Sequence, residues 1–127
     1  YGRMYPGIAR LEREAVSMIA DLCGCAKATG DIVSGGTTAN ILAPKAVRDG
    51  AVKKNPNVVM PATAHPSLLK GCQFLAMEAR RIACDEKTYR AVPEKMASAV
   101  DDNTVAIVGC FGDPGNGAVD PIPELAE

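Results

Sequence analysis

Short apolar runs alternate with segments of helical periodicity along this chain of 127 residues. Val58–Met60 and Thr104–Val108 are compact apolar runs that predict buried strands, and Arg81–Cys84 predicts a shorter one. Strands that are apolar on both faces and alternate with helices form a parallel sheet, which right-handed crossovers cover on both sides. The chain is therefore predicted to have an α/β fold with mostly parallel strands.

Four helices are predicted around these strands. The first is amphipathic, with apolar residues at helical spacing that end at Cys23-Gly24-Cys25: Ile8, Leu11, Ala15, Met18, Ile19 and Leu22. The others run from Thr38 to about Val52, from Ser67 to about Met77 and from Pro93 to about Val100. Pro44 falls inside the second helix, where a proline costs roughly 3 kcal/mol unless it lies in the first turn.

The chain divides into an opening helix with its connection, residues 1–30, and a series of βα units, residues 31–127. It begins at Tyr1 instead of methionine, and Pro121–Glu127 resembles the first turn of a helix cut short. We therefore expect the chain to be part of a larger domain, truncated at both ends.

The segment Ile32–Asn40 joins a short predicted strand, Ile32–Val33, to the second helix through two glycines and two threonines. Gly35 and Gly36 have no Cβ to block the approach of an anion to the backbone, and a helix start offers unpaired N–H groups and a positive dipole end. The hydroxyl of Thr37 adds an uncharged donor. Taken alone, such a turn is more often a helix cap, and it is neither the GxGxxG nor the GxxxxGK[ST] fingerprint.

A second junction, Pro61–Ser67, contains the only histidine of the chain, His65. The carboxyl ends of parallel strands meet at one edge of a sheet, where ligands of α/β proteins collect. The Gly35–Thr37 turn, His65 and the loop Gly109–Gly117 are all expected at that edge. Most lone histidines are surface residues or have their hydrogen bonds satisfied structurally, so the pattern alone assigns no role to this one.

Composition excludes several other classes. The 14 Lys and Arg residues are scattered among 15 Asp and Glu residues, with a net charge of -1, so the basic face of a nucleic-acid-binding protein is missing. No apolar run approaches the length of a membrane span and no signal-peptide pattern is present, which favours a cytoplasmic location. The cysteines are odd in number and lack CxxC spacing, which argues against a disulfide framework and a metal site: Cys23, Cys25, Cys72, Cys84 and Cys110.

Four ordered blocks resemble the pyridoxal-phosphate-dependent group II decarboxylases and the related sphingosine-1-phosphate lyases. They are Ser34–Thr37, Pro61–His65 with Lys70 five residues on, Asn103–Gly109, and Gly117–Ile122. The resemblance covers nearly the whole chain and implies the large cofactor-binding domain of the aspartate aminotransferase-like fold. The Pro-x-x-Ala-His and Val-Asp-Pro-Ile patterns are closer to the lyases, whereas Gly-Gly-Thr followed by Ala-Asn is closer to archaeal-type amino-acid decarboxylases.

The resemblance implies that Gly36 and Thr37 bind the phosphate of pyridoxal phosphate, with Gly35 permitting the turn. It implies that His65 stacks on the pyridine ring as a catalytic residue that can also serve in proton transfer. In this family, the lysine that binds the cofactor covalently directly follows a histidine, and an aspartate pairs with the pyridine nitrogen. Neither motif occurs in this sequence, and Lys70 matches a different family position. The resemblance also implies a homodimer and a small amine or amino-acid substrate.

The favoured function is that of a carbon–carbon lyase which cleaves a phosphorylated long-chain amino alcohol to an aldehyde and phosphoethanolamine. Amino-acid decarboxylation is the alternative, because the same cofactor chemistry serves both reactions. A third interpretation, from another class, is a non-catalytic phosphate-binding piece. Asn116 stands where the lyases usually have a histidine, so substrate contacts from that loop are not carried over.

Overall fold

A computed structural model describes residues 5–127, and Tyr1, with which the predicted opening segment begins, lies outside them. The described residues form five helices and three strands in the order α1 (Pro6–Leu22), α2 (Gly36–Gly50), β1 (Asn57–Pro61), α3 (Pro66–Phe74), β2 (Glu78–Ile82), α4 (Pro93–Ser98), β3 (Thr104–Ile107) and α5 (Ile122–Leu125). They separate into two compact units, one that ends at Gly35 and one that comprises Gly36–Glu127.

The first unit consists of α1 and a segment that folds back along it. Gly24 adopts a left-handed conformation with φ of 72° just after the helix ends, as glycine does at this position in many helices. Further along, the backbone N–H of Ile32 donates to the carboxylate of Glu12, with 3.1 Å between the atoms. The prediction of a strand at Ile32–Val33 is wrong, because Ile32 bonds to a helix side chain instead of a neighbouring strand.

The second unit contains a parallel sheet with the strand order β2-β1-β3. Both neighbours of β1 run parallel to it, and helices connect the strands, so the predicted α/β class is confirmed. The predictions for β1 and β3 are confirmed to within a residue or two at each end. The third predicted strand, Arg81–Cys84, is displaced: β2 spans Glu78–Ile82, because its pairing with β1 runs from Asn57↔Glu78 to Pro61↔Ile82.

Successive side chains of β1 enter two different cores, as the alternation of a strand requires. Val58 and Met60 pack on one face with residues of and after α3, including Cys72 and Met77. Val59 packs on the other face with Met96 of α4 and with Ala91. All five residues of β1 are buried. The central strand is thus covered on both sides, which explains its continuous apolar sequence.

Helix α2 continues through Pro44, which is its ninth residue and is buried. The predicted cost of an interior proline therefore applies in full, since Pro44 lies well beyond the first turn. Proline has no N–H, so the carbonyl of Asn40, four residues earlier, receives no helical hydrogen bond at this point. Within residues 5–127, no helix combines the length and the apolar character that crossing a membrane requires.

Candidate functional site

His65 lies between the carboxyl end of β1 and the start of α3. Pro66 is the first residue of the helix, and a residue before proline is driven out of the helical region. His65 accordingly has φ of -57° and ψ of 133° and serves as the N-cap, its side chain accepting a hydrogen bond from the backbone N–H of Ser67. The local sequence thus fixes the imidazole at the edge of the sheet, with its ring exposed.

Two hydrogen bonds connect the imidazole to helix α2. The hydroxyl of Ser67 lies 2.7 Å from Nδ1 of His65, and the side-chain amide of Asn40 donates to the same hydroxyl oxygen over 2.8 Å. Ser67 is buried, with 6% of its surface exposed, so both bonds are largely shielded from water. The side chain of a helix residue therefore positions a residue on the following βα junction.

The predicted phosphate residues lie at the beginning of the same helix. Gly36 and Thr37 are the first two residues of α2, and Gly35 directly precedes it as the last residue of the first unit. Asn40 follows Gly36 by four residues, about one turn. The first turn of α2 and His65 are consequently linked through Asn40 and Ser67.

The start of α2 has the chemistry that an anion needs. The first N–H groups of a helix have no acceptor within the helix, and the first turn of α2 contains no acidic residue. Among residues 5–127, no atom lies within 4 Å of a Cβ built on Gly36, and Thr37 is exposed. Backbone donors, a hydroxyl and open space fit a phosphate group, and no carboxylate of this turn opposes it.

Helices α2 and α3 approach closely at Gly71. A Cβ on this residue would lie 3.0 Å from the carbonyl oxygen of Asn40 and 3.1 Å from the Cα of Ile41. Gly71 is one turn after Ser67 on α3, so the two residues share a face of that helix. The missing side chain at Gly71 allows the close approach in which Ser67 meets Asn40.

The loop Gly109–Gly117 follows β3, so the structure brings it to the same sheet edge as His65, as predicted. Its conformation is set by hydrogen bonds within the loop, including that of the Asn116 N–H to the carboxylate of Asp113. The carboxylate of Asp120, 3% exposed, accepts from the backbone N–H groups of Ala91 and Cys110, both over 2.7 Å. Asp120 therefore holds this loop to the chain before α4.

The thiol of Cys110, at this sheet edge, is not activated. Burial raises the pKa of the Cys110 thiol above its ordinary value, and the carboxylates of Asp120 and Asp113 raise it further. Such a thiol stays protonated near neutral pH and is a poor nucleophile. Among residues 5–127, no three His, Cys, Asp or Glu side chains are grouped so as to hold a metal ion.

Known proteins match this chain along nearly all of its length, although no protein-family model does. A protein of Haloarcula marismortui named probable L-aspartate decarboxylase is 42% identical over 123 residues, which are 97% of this chain and 35% of that protein. A probable L-tyrosine/L-aspartate decarboxylase of Methanothrix thermoacetophila is 38% identical over 124 residues, 98% of this chain and 32% of that protein. The chain thus spans about a third of the length of the curated relatives it matches.

A solved structure supports the same assignment. The sphingosine-1-phosphate lyase of Burkholderia pseudomallei superimposes with a TM-score of 0.87 and 28% identity, covering 98% of this chain and 31% of that one. The α/β fold with its parallel three-stranded sheet thus matches that of aspartate aminotransferase-like enzymes. The predicted resemblance is confirmed: the chain is similar in sequence to proteins named as L-aspartate decarboxylases and in fold to a sphingosine-1-phosphate lyase, that is, to the pyridoxal-phosphate-dependent group II decarboxylases and their lyase relatives.

Sequence reasoning missed the roles of Asn40 and Ser67. Both stand inside the motifs already recognised, and each is a polar residue on a helix that packs against the core. A polar residue on the packed side of a helix indicates a buried hydrogen bond. Which two such residues pair across 27 positions of sequence depends on the helix contact at Gly71, which periodicity does not specify.

Proposed function

We propose that the protein is a pyridoxal-phosphate-dependent amino-acid decarboxylase whose substrate is an acidic α-amino acid of the L-aspartate type. Identities of 42% and 38% to proteins named as such decarboxylases support this choice over the predicted lyase activity, whose supporting structure is 28% identical. The sphingosine-1-phosphate lyase activity is the second candidate, favoured by that structure's TM-score of 0.87.

The observation that carries the proposal is the connection between the start of α2 and His65. The phosphate of the cofactor binds to the backbone N–H groups of Gly36 and Thr37 and to the hydroxyl of Thr37, with Gly35 permitting the turn. The exposed imidazole of His65, held by Ser67, stacks on the pyridine ring and takes part in proton transfer. The start of one helix and the N-cap of the next thereby hold both ends of the cofactor.

Bound pyridoxal phosphate would supply an electron sink for the electron pair that stays on the α-carbon when carbon dioxide leaves. The residues of this chain bind and orient that group and leave its covalent attachment to residues elsewhere. His65 is followed by Pro66, so the His-Lys pair of the family does not occur in this sequence. A homodimer and a cytoplasmic location stay predictions.

Phosphate binding is tested with the Thr37→Val variant of this chain. Removing a hydroxyl that donates to a charged group is expected to weaken pyridoxal phosphate binding about tenfold, on the order of 1.4 kcal/mol. Equilibrium dialysis measures the affinity, and inorganic phosphate is expected to compete. Thr29→Val, which alters an exposed threonine of the first unit, serves as the control and should bind as the wild type does. Equal affinities for both variants would contradict the proposed phosphate site.

The reaction is tested in the natural protein that contains this sequence, supplied with pyridoxal phosphate. Release of carbon dioxide from L-aspartate supports the decarboxylase. Formation of a long-chain aldehyde from a phosphorylated amino alcohol would instead establish the lyase. Cofactor binding without either reaction would favour the non-catalytic interpretation.

A further inference from the structure

We infer that Asn40 and Ser67 are positioning residues that fix His65 as the tautomer with its proton on Nε2. The hydrogen bonds that define this arrangement are present in the chain itself and involve no cofactor. Only its consequence for the cofactor, on whose ring His65 would stack, rests on the proposed function. The inference assigns roles to Asn40 on α2 and Ser67 on α3, and it states which group donates and which accepts in each hydrogen bond.

The backbone N–H of Ser67 decides which partner donates in the hydrogen bonds to Nδ1 of His65. Its N–H can only donate, and it points at Nδ1 of His65 over 3.2 Å, so Nδ1 is an acceptor and carries no proton. The hydroxyl of Ser67, 2.7 Å from the same nitrogen, must then be the donor. A neutral imidazole with an acceptor at Nδ1 has its proton at Nε2.

Asn40 completes the chain of donors. Because the Ser67 hydroxyl gives its hydrogen to His65, its oxygen accepts, and the side-chain amide of Asn40 donates to it over 2.8 Å. An amide nitrogen can only donate, so it cannot accept the serine hydrogen in place of the imidazole. The buried hydroxyl of Ser67 is therefore satisfied in both capacities, and its hydrogen stays directed at Nδ1.

Helix packing holds this geometry. Ser67 lies in the first turn of α3, and Gly71, one turn later, brings the α3 backbone against the carbonyl of Asn40. The distance between Asn40 and Ser67 is consequently set by two packed helices instead of by a mobile loop. Under the proposed function, the ring that stacks on the cofactor is neutral and offers one hydrogen-bond donor, Nε2–H, at its exposed edge.

The single histidine of this chain makes the test direct, because ¹⁵N-labelled histidine gives one pair of imidazole nitrogen signals. Spectra are recorded at about pH 8.5, where an ordinary imidazole is neutral. The wild-type chain is expected to give an unprotonated, hydrogen-bonded Nδ1 and a protonated Nε2.

Asn40→Asp withdraws the serine hydrogen from His65 with almost no change in shape. A carboxylate only accepts, so it takes the hydroxyl hydrogen of Ser67, and Nδ1 keeps only the donation from the backbone N–H of Ser67. The Nδ1 signal is expected to lose the shift that the serine hydrogen bond produces, while Nε2 stays protonated. Asn55→Asp adds the same charge at an exposed loop residue and should leave the wild-type spectrum unchanged.

Ser67→Ala, which adds no charge, gives a second measurement should the aspartate variant fold poorly. Its Nδ1 signal is expected to lose the shift that the serine hydrogen bond produces. Identical imidazole signals in the wild type, Asn40→Asp and Ser67→Ala would overturn the inference. Titration of uniformly ¹⁵N-labelled samples of the same proteins with inorganic phosphate distinguishes the two claims, since changes at the Gly36 and Thr37 amides report the phosphate site whatever the tautomer of His65.

Discussion

The two ends of strand β1 carry polar side chains with opposite relations to solvent. At the amino end, Asn57 is fully buried: its amide donates to Asp101 and its carbonyl accepts from the hydroxyl of Thr104, both over 2.8 Å. At the carboxyl end, His65 is exposed, and the hydrogen bonds within residues 5–127 use only its Nδ1. Polar groups that form hydrogen bonds with one another stabilise the fold, whereas a polar group with an exposed donor or acceptor remains able to bind a ligand.

The amino end is closed further by Arg80 of β2. Its guanidinium forms an ion pair with Asp101 over 2.8 Å and also donates to the backbone carbonyl of Ala99. The network thus joins all three strands and the turn before β3. Because its members bond to one another, substitutions there are expected to change stability, while substitutions near His65 should change binding.

The largest expected effect is that of Asn57→Ala. The substitution removes two side-chain hydrogen bonds at a fully buried position and leaves a small cavity, so the free energy of unfolding should fall by about 2–3 kcal/mol. Urea denaturation measures this loss. Affinity for inorganic phosphate, measured well below the denaturation midpoint, should stay within about twofold of the wild type.

Asn55→Ala is the matched control, since Asn55 is exposed two residues before Asn57 and should change stability by less than about 0.5 kcal/mol. A strong loss of phosphate binding in a folded Asn57→Ala chain would contradict the division between the two ends of β1.

Gly71→Ala tests the other end through packing. The new methyl group would lie about as close to Asn40 as any real contact allows, so α2 and α3 must separate by a few tenths of an ångström. Overpacking of this kind typically costs about 1–3 kcal/mol, which urea denaturation would detect. The hydrogen bond between Asn40 and Ser67 should weaken as well, and the His65 imidazole signals should report it.

Gly35→Ala is the comparison for that variant, because a Cβ there meets no atom within 4 Å. It should leave the His65 signals as they are in the wild type. If Gly71→Ala also left them unchanged, the close helix contact would not be what holds the imidazole.

The sequence predicted the central strand well and the edges poorly, for physical reasons. Val58–Met60 is buried on both faces, so its apolar run has one reasonable interpretation. The predicted second strand begins at Arg81, so Arg80 precedes it. Both arginines instead lie within β2, where Arg80 forms ion pairs with Glu78 and Asp101. Ile32–Val33 has strand-like residues, but no strand of residues 5–127 pairs with it.

The parts of the candidate site that depend on neighbouring residues in the sequence were predictable. Gly36 and Thr37 begin a helix and His65 follows a strand, and both patterns are local. The link between Asn40 and Ser67 spans 27 residues and depends on how two helices approach each other. Long-range contacts of this kind are set by packing, which periodicity in a single sequence does not encode.

The smallest expected effect is confined to acid. Hydrogen bonds from Asn57, Arg80 and the N–H of Asn103 lower the pKa of Asp101 from its usual 3.8 to about 2. A carboxylate with a lowered pKa stabilises the folded state above its unfolded value and loses that contribution as pH falls through the folded value. The wild-type chain should therefore lose stability between about pH 4 and pH 2, and Asp101→Asn should lose less over that interval.

Thermal unfolding followed by circular dichroism at intervals across this range measures the difference. Asn55→Ala, which changes an exposed residue and no titratable group, should follow the wild-type pH dependence. A neutral asparagine cannot form the ion pair with Arg80. The Asp101→Asn variant is therefore expected to be less stable than the wild type at neutral pH, and the stabilities of the two should converge in acid. Parallel curves would mean that Asp101 does not couple proton binding to folding. The amino end of β1 would then be held by Asn57 and Thr104 without an electrostatic contribution.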